Sequence, residues 1–458
     1  MIRTGGAIYY QPPREDGNAD NGIQGFGGTF GATGNFLSNG ISFLTKNGLQ
    51  AFTAQIQNLK PPIANPQTLT GNLFQQSPFF YFSKTGRSAY FSDWQFSIER
   101  TVTADSVFRA TYHGVVGSKL ISRQQSQNQL NPFYWSVYGS LLGNTIASVI
   151  NNPTVVAAGF KLPYPGYPTN LQLQQALRPY PQFSGIDSNA SGQNDGHSTY
   201  HALETSLEHR FSKGLYLIFN YTFCKLISTS NGEDANRDTL GAVQNQYNRR
   251  LDKSVAYNED TPHNFRIGYT YDLPIGRGKA WLSHMPKIAN GILGNWRVSG
   301  IHTYVSGTPL WISCGQNFFG AGSNARCSFA PGATTGQIPL VNPAWTWSHD
   351  NIGTTALGRM PYLNPAAFVL PPNMTYGDTP RQMSYLRRPW TVNEDLAILK
   401  NFVIREKGNL EVRASASNLP NRVVFGAPNT TQSSADFGRI TGTGNSPRTV
   451  QLGARLSF

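Results

Sequence analysis

LYLIFNYTF, residues Leu215–Phe223, decides how the rest of the chain is read. Leu215, Leu217, Phe219, Tyr221 and Phe223 recur at every second position, so an extended strand places all five on one face. Tyr216, Asn220 and Thr222 fall on the other. The same two-residue period runs through HNFRIGYTYDLP (His263–Pro274), where Phe265, Ile267, Tyr269, Tyr271 and Leu273 alternate with Arg266, Gly268, Thr270 and Asp272. It returns in NLEVRASASN (Asn409–Asn418) and in the last ten residues, TVQLGARLSF (Thr449–Phe458). Weaker alternation marks residues 2–10, 91–100, 106–115, 199–211, 295–305 and 391–403, giving about ten strands.

An alternating strand needs a cover for its oily face, and the composition says which cover to expect. Only 13% of the 458 residues are charged, about half the proportion usual in soluble domains, while 12% are aromatic. Mean hydropathy is −0.35, too polar for a bundle of membrane helices. The longest uncharged stretch, Gln124–Phe160, is broken by Asn, Pro, Gly and Ser, whereas a spanning helix takes about 20 predominantly apolar residues. It reads as a loop with one short helix at most. A sandwich would hide the oily face under a second sheet. A transmembrane barrel turns it to lipid and turns the polar face to a wet lumen.

The connections favour the barrel. Short ones lie near 100–106, 212–214 and 404–408, with a medium one at 274–294. Long ones lie near 11–90, 116–198, 226–261, 306–390 and 419–447. Antiparallel strands reverse direction each time, so all the long connections leave from one end. Long extracellular loops and short periplasmic turns are the pattern of outer-membrane barrels. The last strand then runs inward, with Leu452, Ala454, Leu456 and the terminal Phe458 spaced as an assembly signal. Barrel-assembly machinery could read it by strand addition.

Other features are weaker. The net charge of +13 is scattered without a basic run, which argues against a nucleic-acid surface. Three cysteines make no disulfide scaffold; Cys314 and Cys327 share a Gly/Asn-rich loop and could pair, leaving Cys224 alone on a strand. DGNADNG (Asp16–Gly22) starts like a calcium loop but lacks the glycine and the final carboxylate of one. His197, His201, Glu204 and His209 lie near a strand start, with same-face neighbours about 13 Å apart, too far for one ion. GRGK (Gly276–Lys279) lacks phosphate-loop spacing and reads as a turn, as GTGNSP (Gly442–Pro447) reads as a loop. Trp94, Trp296, Trp390, Tyr269 and Tyr271 suit interfacial girdles, and Phe133–Trp135, Trp345 and Trp347 could meet a sugar or peptide. No catalytic triad or carboxylate pair is evident, so no enzyme and no cofactor is expected.

Several blocks together resemble the C-terminal barrel of TonB-dependent outer-membrane receptors of the Oar-like group. They are RPYPQFSGI (Arg178–Ile186), HALETSLEHRFSKGLYLIFNYTFCK (His201–Lys225), DTPHNFRIGYTYDLPIGRGK (Asp260–Lys279) and GNWRVSGIHTYVSGTPL (Gly294–Leu310). NFVIREKGNLEVRASASNLPNRVVFGAP (Asn401–Pro428) and the final strand complete the set. The resemblance implies an all-β, antiparallel transmembrane barrel of about 22 strands with a plugged lumen, of which residues 1–458 would supply about ten. No secretion signal, plug domain or TonB box is visible, so the expectation is a C-terminal portion with unpaired edges, or a smaller closed barrel. The implied partners are outer-membrane lipid and lipopolysaccharide, the assembly machinery, an unidentified extracellular substrate, and TonB only through a plug. The implied function is uptake across the outer membrane. The alternatives are a surface adhesin or glycan-binding protein acting through its loops, and a soluble β-rich protein with the oily faces packed together.

Overall fold

The computed structural model describes residues 1–10, 88–122, 128–143, 146–181, 193–229, 244–257, 259–314, 326–372, 375–404 and 408–458. Ten long strands dominate it. They are β1 (Ile2–Tyr10), β2 (Tyr90–Thr103), β3 (Ser106–Ser122), β4 (Gln193–Ser212), β5 (Leu215–Ser228), β6 (His263–Asp272), β7 (Trp296–Val305), β8 (Thr391–Ile404), β9 (Gly408–Ser417) and β10 (Thr449–Ser457). Every strand pairs antiparallel with its neighbours in sequence, making one up-and-down sheet. A two-residue strand, Ser254–Val255, adds to the end of β5.

A tilted strand crosses a bilayer in about 9–11 residues; β1, β6, β7, β9 and β10 have nine or ten, and β2, β5 and β8 run to 14. β3 and β4 are longer, at 17 and 20 residues. Their pairing continues to Ser122 and Gln193, so the connection expected near 116–198 begins later and ends earlier. The extension passes register shifts beside Lys119, whose φ is +55°. The Gln124–Phe160 stretch also holds more than one helix: Phe133–Tyr138 and Pro153–Ala157 are both helical. The turn between β4 and β5 is Lys213–Gly214, with φ of +50° and +84°. Two successive positive φ values match the twist of the flanking strands and select glycine.

The register aligns oily residues across the sheet. Leu215 faces Tyr271, Tyr271 faces Val298, Val298 faces Ile398, Ile398 faces Ala414 and Ala414 faces Leu452. One step along lies a polar row: Tyr216, Thr270, Ser299, Ala397, Ser415 and Gln451. Tyr269 lies over Gly300, where a Cβ would come within 2.6 Å of the ring. Leu217, Phe219 and Ile267 lie only partly buried on the oily face, and Leu452 is 77% exposed. The described apolar clusters lie instead in the connections, around Leu310, Phe368 and Phe437 in one case and around Leu130, Leu142 and Leu173 in another. The molecule is inside-out: a bare oily wall with its packed core beyond one end.

The sheet does not close on itself. Among the described residues β1 pairs with β2 alone and β10 with β9 alone, and every residue of both edge strands is exposed. Unpaired backbone groups cost several kcal/mol each in hydrocarbon. Among the described residues the arrangement is an open arc of a barrel wall with two unpaired edges.

The two faces predict opposite responses to one charge. Phe219→Arg, at the middle of β5, should destabilise the protein in vesicles by roughly 2–4 kcal/mol. Asn220→Arg, turned to the polar side, should change little. Denaturant titration in lipid vesicles checks both, and equal losses would contradict the assignment of faces.

Candidate functional site

Two features concentrate polar chemistry: the inner face of the sheet and the cap formed by the connections at the extracellular end. On the inner face, Glu99 of β2 accepts two hydrogen bonds from Arg109 of β3, at 3.0 Å from Nε and 2.7 Å from Nη2. Arg3 of β1 approaches the other carboxylate oxygen to 4.0 Å. His113 Nε2 lies 2.8 Å from Asp93 Oδ2, and its Nδ1 lies 3.9 Å from Glu204 Oε1. Further along, Arg297 donates to the two carboxylate oxygens of Asp272, from Nε at 2.5 Å and from Nη2 at 3.1 Å. Arg3, Glu99, Arg109, Glu204, Asn220 and Thr222 line a concavity of 410 Å³. Charge ladders of this kind keep the wall wet and offer paired donors and acceptors to a polar solute.

The cap is a cross-linked body. Asp252, fully buried, takes Arg249 Nη1 on Oδ2 at 3.0 Å and Arg326 Nη2 on Oδ1. Its backbone carbonyl accepts from Arg381 Nε at 3.0 Å, and Arg381 also donates to the Ser228 carbonyl at 2.7 Å. Asp260, also fully buried, binds Arg387 and accepts the Leu226 amide at 2.7 Å. Gln129 ties a third connection in, donating to the Gln244 carbonyl at 2.7 Å and accepting the Gln246 amide at 2.8 Å. The last connection docks on the one before it. The Tyr362 amide donates to the Gly438 carbonyl at 2.7 Å, and Asp436 accepts the Thr355 amide at 2.6 Å and hydroxyl at 2.7 Å.

Burial pushes the Arg326 guanidinium down from its ordinary range, opposed by the Asp252 carboxylate. Hydrogen bonds from the Thr355 amide and hydroxyl hold the Asp436 carboxyl below the usual carboxylate range. None of these anchors was legible as a site beforehand. Asp252 and Arg326 stand 74 residues apart and Asp260 and Arg387 stand 127 apart, so no local spacing marks them.

The residues singled out from the sequence fall as follows. Cys314 and Cys327 are joined in a disulfide inside the cap core, beside Phe368 and Met383. Cys224 is a buried free thiol that donates to the Thr261 carbonyl at 3.3 Å. Leu452, Ala454, Leu456 and Phe458 lie along the exposed edge, with Phe458 96% exposed. His201 stacks on Tyr112 on the oily side while Glu204 points to the inner side, so the register separates them. Trp390 stacks on His263 at the extracellular end of the oily face, and Trp296 marks its opposite end. Trp345 and Trp347 cluster with Tyr362 and Phe425, and Trp135 packs on Tyr376. Asp16–Gly22 lies outside the described residues.

Residues 1–451 match the family described as outer membrane beta barrel domain. The chain belongs to this family of outer-membrane barrels. Its place is the bacterial outer membrane, its oily face in the lipid. The crystal structure of the outer membrane transporter YddB from Escherichia coli aligns with 84% of this chain and 34% of its own, at 8% identity and a TM-score of 0.37. The chain thus spans about a third of that transporter's length. No curated protein matches the chain.

Two predictions concern the cap. Asp252→Ala removes the acceptor of the buried Arg326 guanidinium and of the half-buried Arg249 one, and should cost about 3–5 kcal/mol. Hydrogen exchange of residues 244–257 and 326–390 should accelerate together while β2–β5 keep their protection. For Asp436, the folded carboxyl is held below its unfolded value, so its contribution is complete above the unfolded range and is lost as pH falls through the lowered one. Protection of the Thr355 amide should fall on acidification, and Asp436→Asn should abolish that pH dependence.

Proposed function

We propose that the chain is the barrel portion of a TonB-dependent transporter that takes up a substrate across the outer membrane. The single observation that carries the reading is the open ten-stranded sheet with a charged inner face, continuous with a tightly built extracellular cap. An arc of this size belongs to a wide barrel, and wide transporter barrels hold a plug in the lumen. The blocks Asp260–Lys279 and Gly294–Leu310, which resemble Oar-like receptors, occupy β6, β7 and the connection between them.

In this reading the cap receives the substrate and the ladder of Arg3, Glu99, Arg109, His113 and Asp93 lines its way inward. Energy arrives through TonB acting on a plug supplied by other sequence. Lipid and lipopolysaccharide surround the oily face, and the assembly machinery engages the strand that ends in Phe458. This reading requires no covalent step of any side chain. A second reading has one specific support. Trp347, 58% exposed, stands edge-on to Trp345 in the cap and could stack on a sugar, as a surface adhesin would require.

Growth of the native bacterium separates the two. Deleting the gene and deleting tonB should abolish growth on the same nutrient, with no further loss in the double deletion. A deletion that leaves all growth intact but removes binding to glycan surfaces would overturn transport in favour of adhesion.

A further inference from the structure

The connection between β6 and β7, residues 273–295, is the one medium-length link at the periplasmic end, and its build is unlike a plain turn. Gly276 and Gly278 fold its start back on itself, with the Trp281 amide donating to the Pro274 carbonyl at 2.8 Å and the Gly276 amide to the Trp281 carbonyl at 3.0 Å. A helix, α1 (Lys287–Leu293), follows. Asn290 on α1 accepts the Arg277 amide at 2.8 Å and so fastens the helix to the turn. With Asn290 turned inward, Ile288 and Ile292 are left pointing out, 83% and 66% exposed. Trp281 is 64% exposed, and Leu282 beside it is exposed too. Leu282 has φ of +59°, a conformation a bulky residue adopts only when its surroundings impose it.

Two contacts say which side the patch faces. Trp296 and Lys400 lie opposite each other at the periplasmic end of the oily face. The Trp296 indole donates to the Ile292 carbonyl at 2.9 Å, and Lys400 Nζ reaches the Gly294 carbonyl. The C-terminal turn of α1 is thus pinned to two residues of the oily-face register, the half-buried Trp296 and the buried Lys400. Charge supplies the second indication: residues 273–295 contain Arg277, Lys279 and Lys287 and no Asp or Glu. All three cations are exposed. Exposed Ile and Trp with a cationic margin, continuous with a lipid-facing wall, are the chemistry of an element lying in a membrane interface.

We propose that residues 273–295 insert their apolar edge into the inner leaflet and bind anionic phospholipid headgroups through Arg277, Lys279 and Lys287. The element would fix the height and tilt of the wall at its periplasmic rim. A loop that merely met water would gain nothing from exposing Ile288, Ile292 and Trp281 together.

The test uses the full chain in vesicles of phosphatidylethanolamine with or without phosphatidylglycerol, with Cys224 replaced by Ser and an environment-sensitive fluorophore on Ile288→Cys. Lys213→Cys, at the exposed β4–β5 turn of the same end, serves as the water reference, and Leu217→Cys as the lipid reference. The expected result is emission shifted to the blue, near the Leu217 reference, and shifted further by phosphatidylglycerol. Arg277→Gln, Lys279→Gln and Lys287→Gln together should remove the phosphatidylglycerol-dependent part. Emission matching the Lys213 reference in both vesicles would overturn the proposal, and so would a lipid-like signal indifferent to phosphatidylglycerol. The Leu217 reference reports independently whether the wall itself has folded in the bilayer.

Discussion

Hydrocarbon offers no partner to a backbone amide or carbonyl, and this constraint organises the whole molecule. Inside a bilayer a strand must give every polar backbone group to its neighbours, while its side chains are free to divide between two surroundings. The eight inner strands do this in strict sequence order, so the same period of two that satisfies the ladder also sorts Leu215, Tyr271, Val298 and Ile398 to lipid and Thr270, Ser299 and Ser415 to the lumen. A one-residue slip in any strand would exchange the two sets. Hydrogen bonding and amphipathicity thus lock one register together.

Membrane immersion also explains where the conventional core has gone. With lipid covering the oily face, burial of apolar side chains against protein is needed only where the chain leaves the bilayer. There the Leu310–Phe437 cluster, the Cys314–Cys327 disulfide and the buried Asp252 and Asp260 knots make long connections into a single packed cap. Buried ion pairs are a poor source of stability, but removing one partner strands a charge and costs several kcal/mol. In the cap they fix which connection lies against which.

The wall was readable in the sequence because its signal is local. Every one of the ten strands lies where alternation puts it, and even the weak stretches near 2–10 and 391–403 are strands. Side-chain facing along β5 needed only Leu217, Phe219 and their neighbours. What was missed is non-local or irregular. The upper parts of β3 and β4 carry SKLIS and QNDGHS, which do not alternate, and are held in the sheet by pairing across a bulge. The Arg326–Asp252 and Arg387–Asp260 pairs join residues far apart in the chain, and the segment between β6 and β7 looked like a turn because GRGK dominates its start. In each case tertiary partners, absent from any short window, decide the outcome.

The central claim is that one face of these strands meets acyl chains and the other meets water. A nitroxide scan of residues 215–223 in the full chain, with Cys224 replaced by Ser and the protein in lipid vesicles, tests it most directly. Collision rates with oxygen and with a water-soluble nickel complex should alternate out of phase at every residue, oxygen favouring 215, 217, 219, 221 and 223. A scan without alternation, or one in which the odd positions are shielded from both reagents, would show a protein-covered sheet and contradict the account.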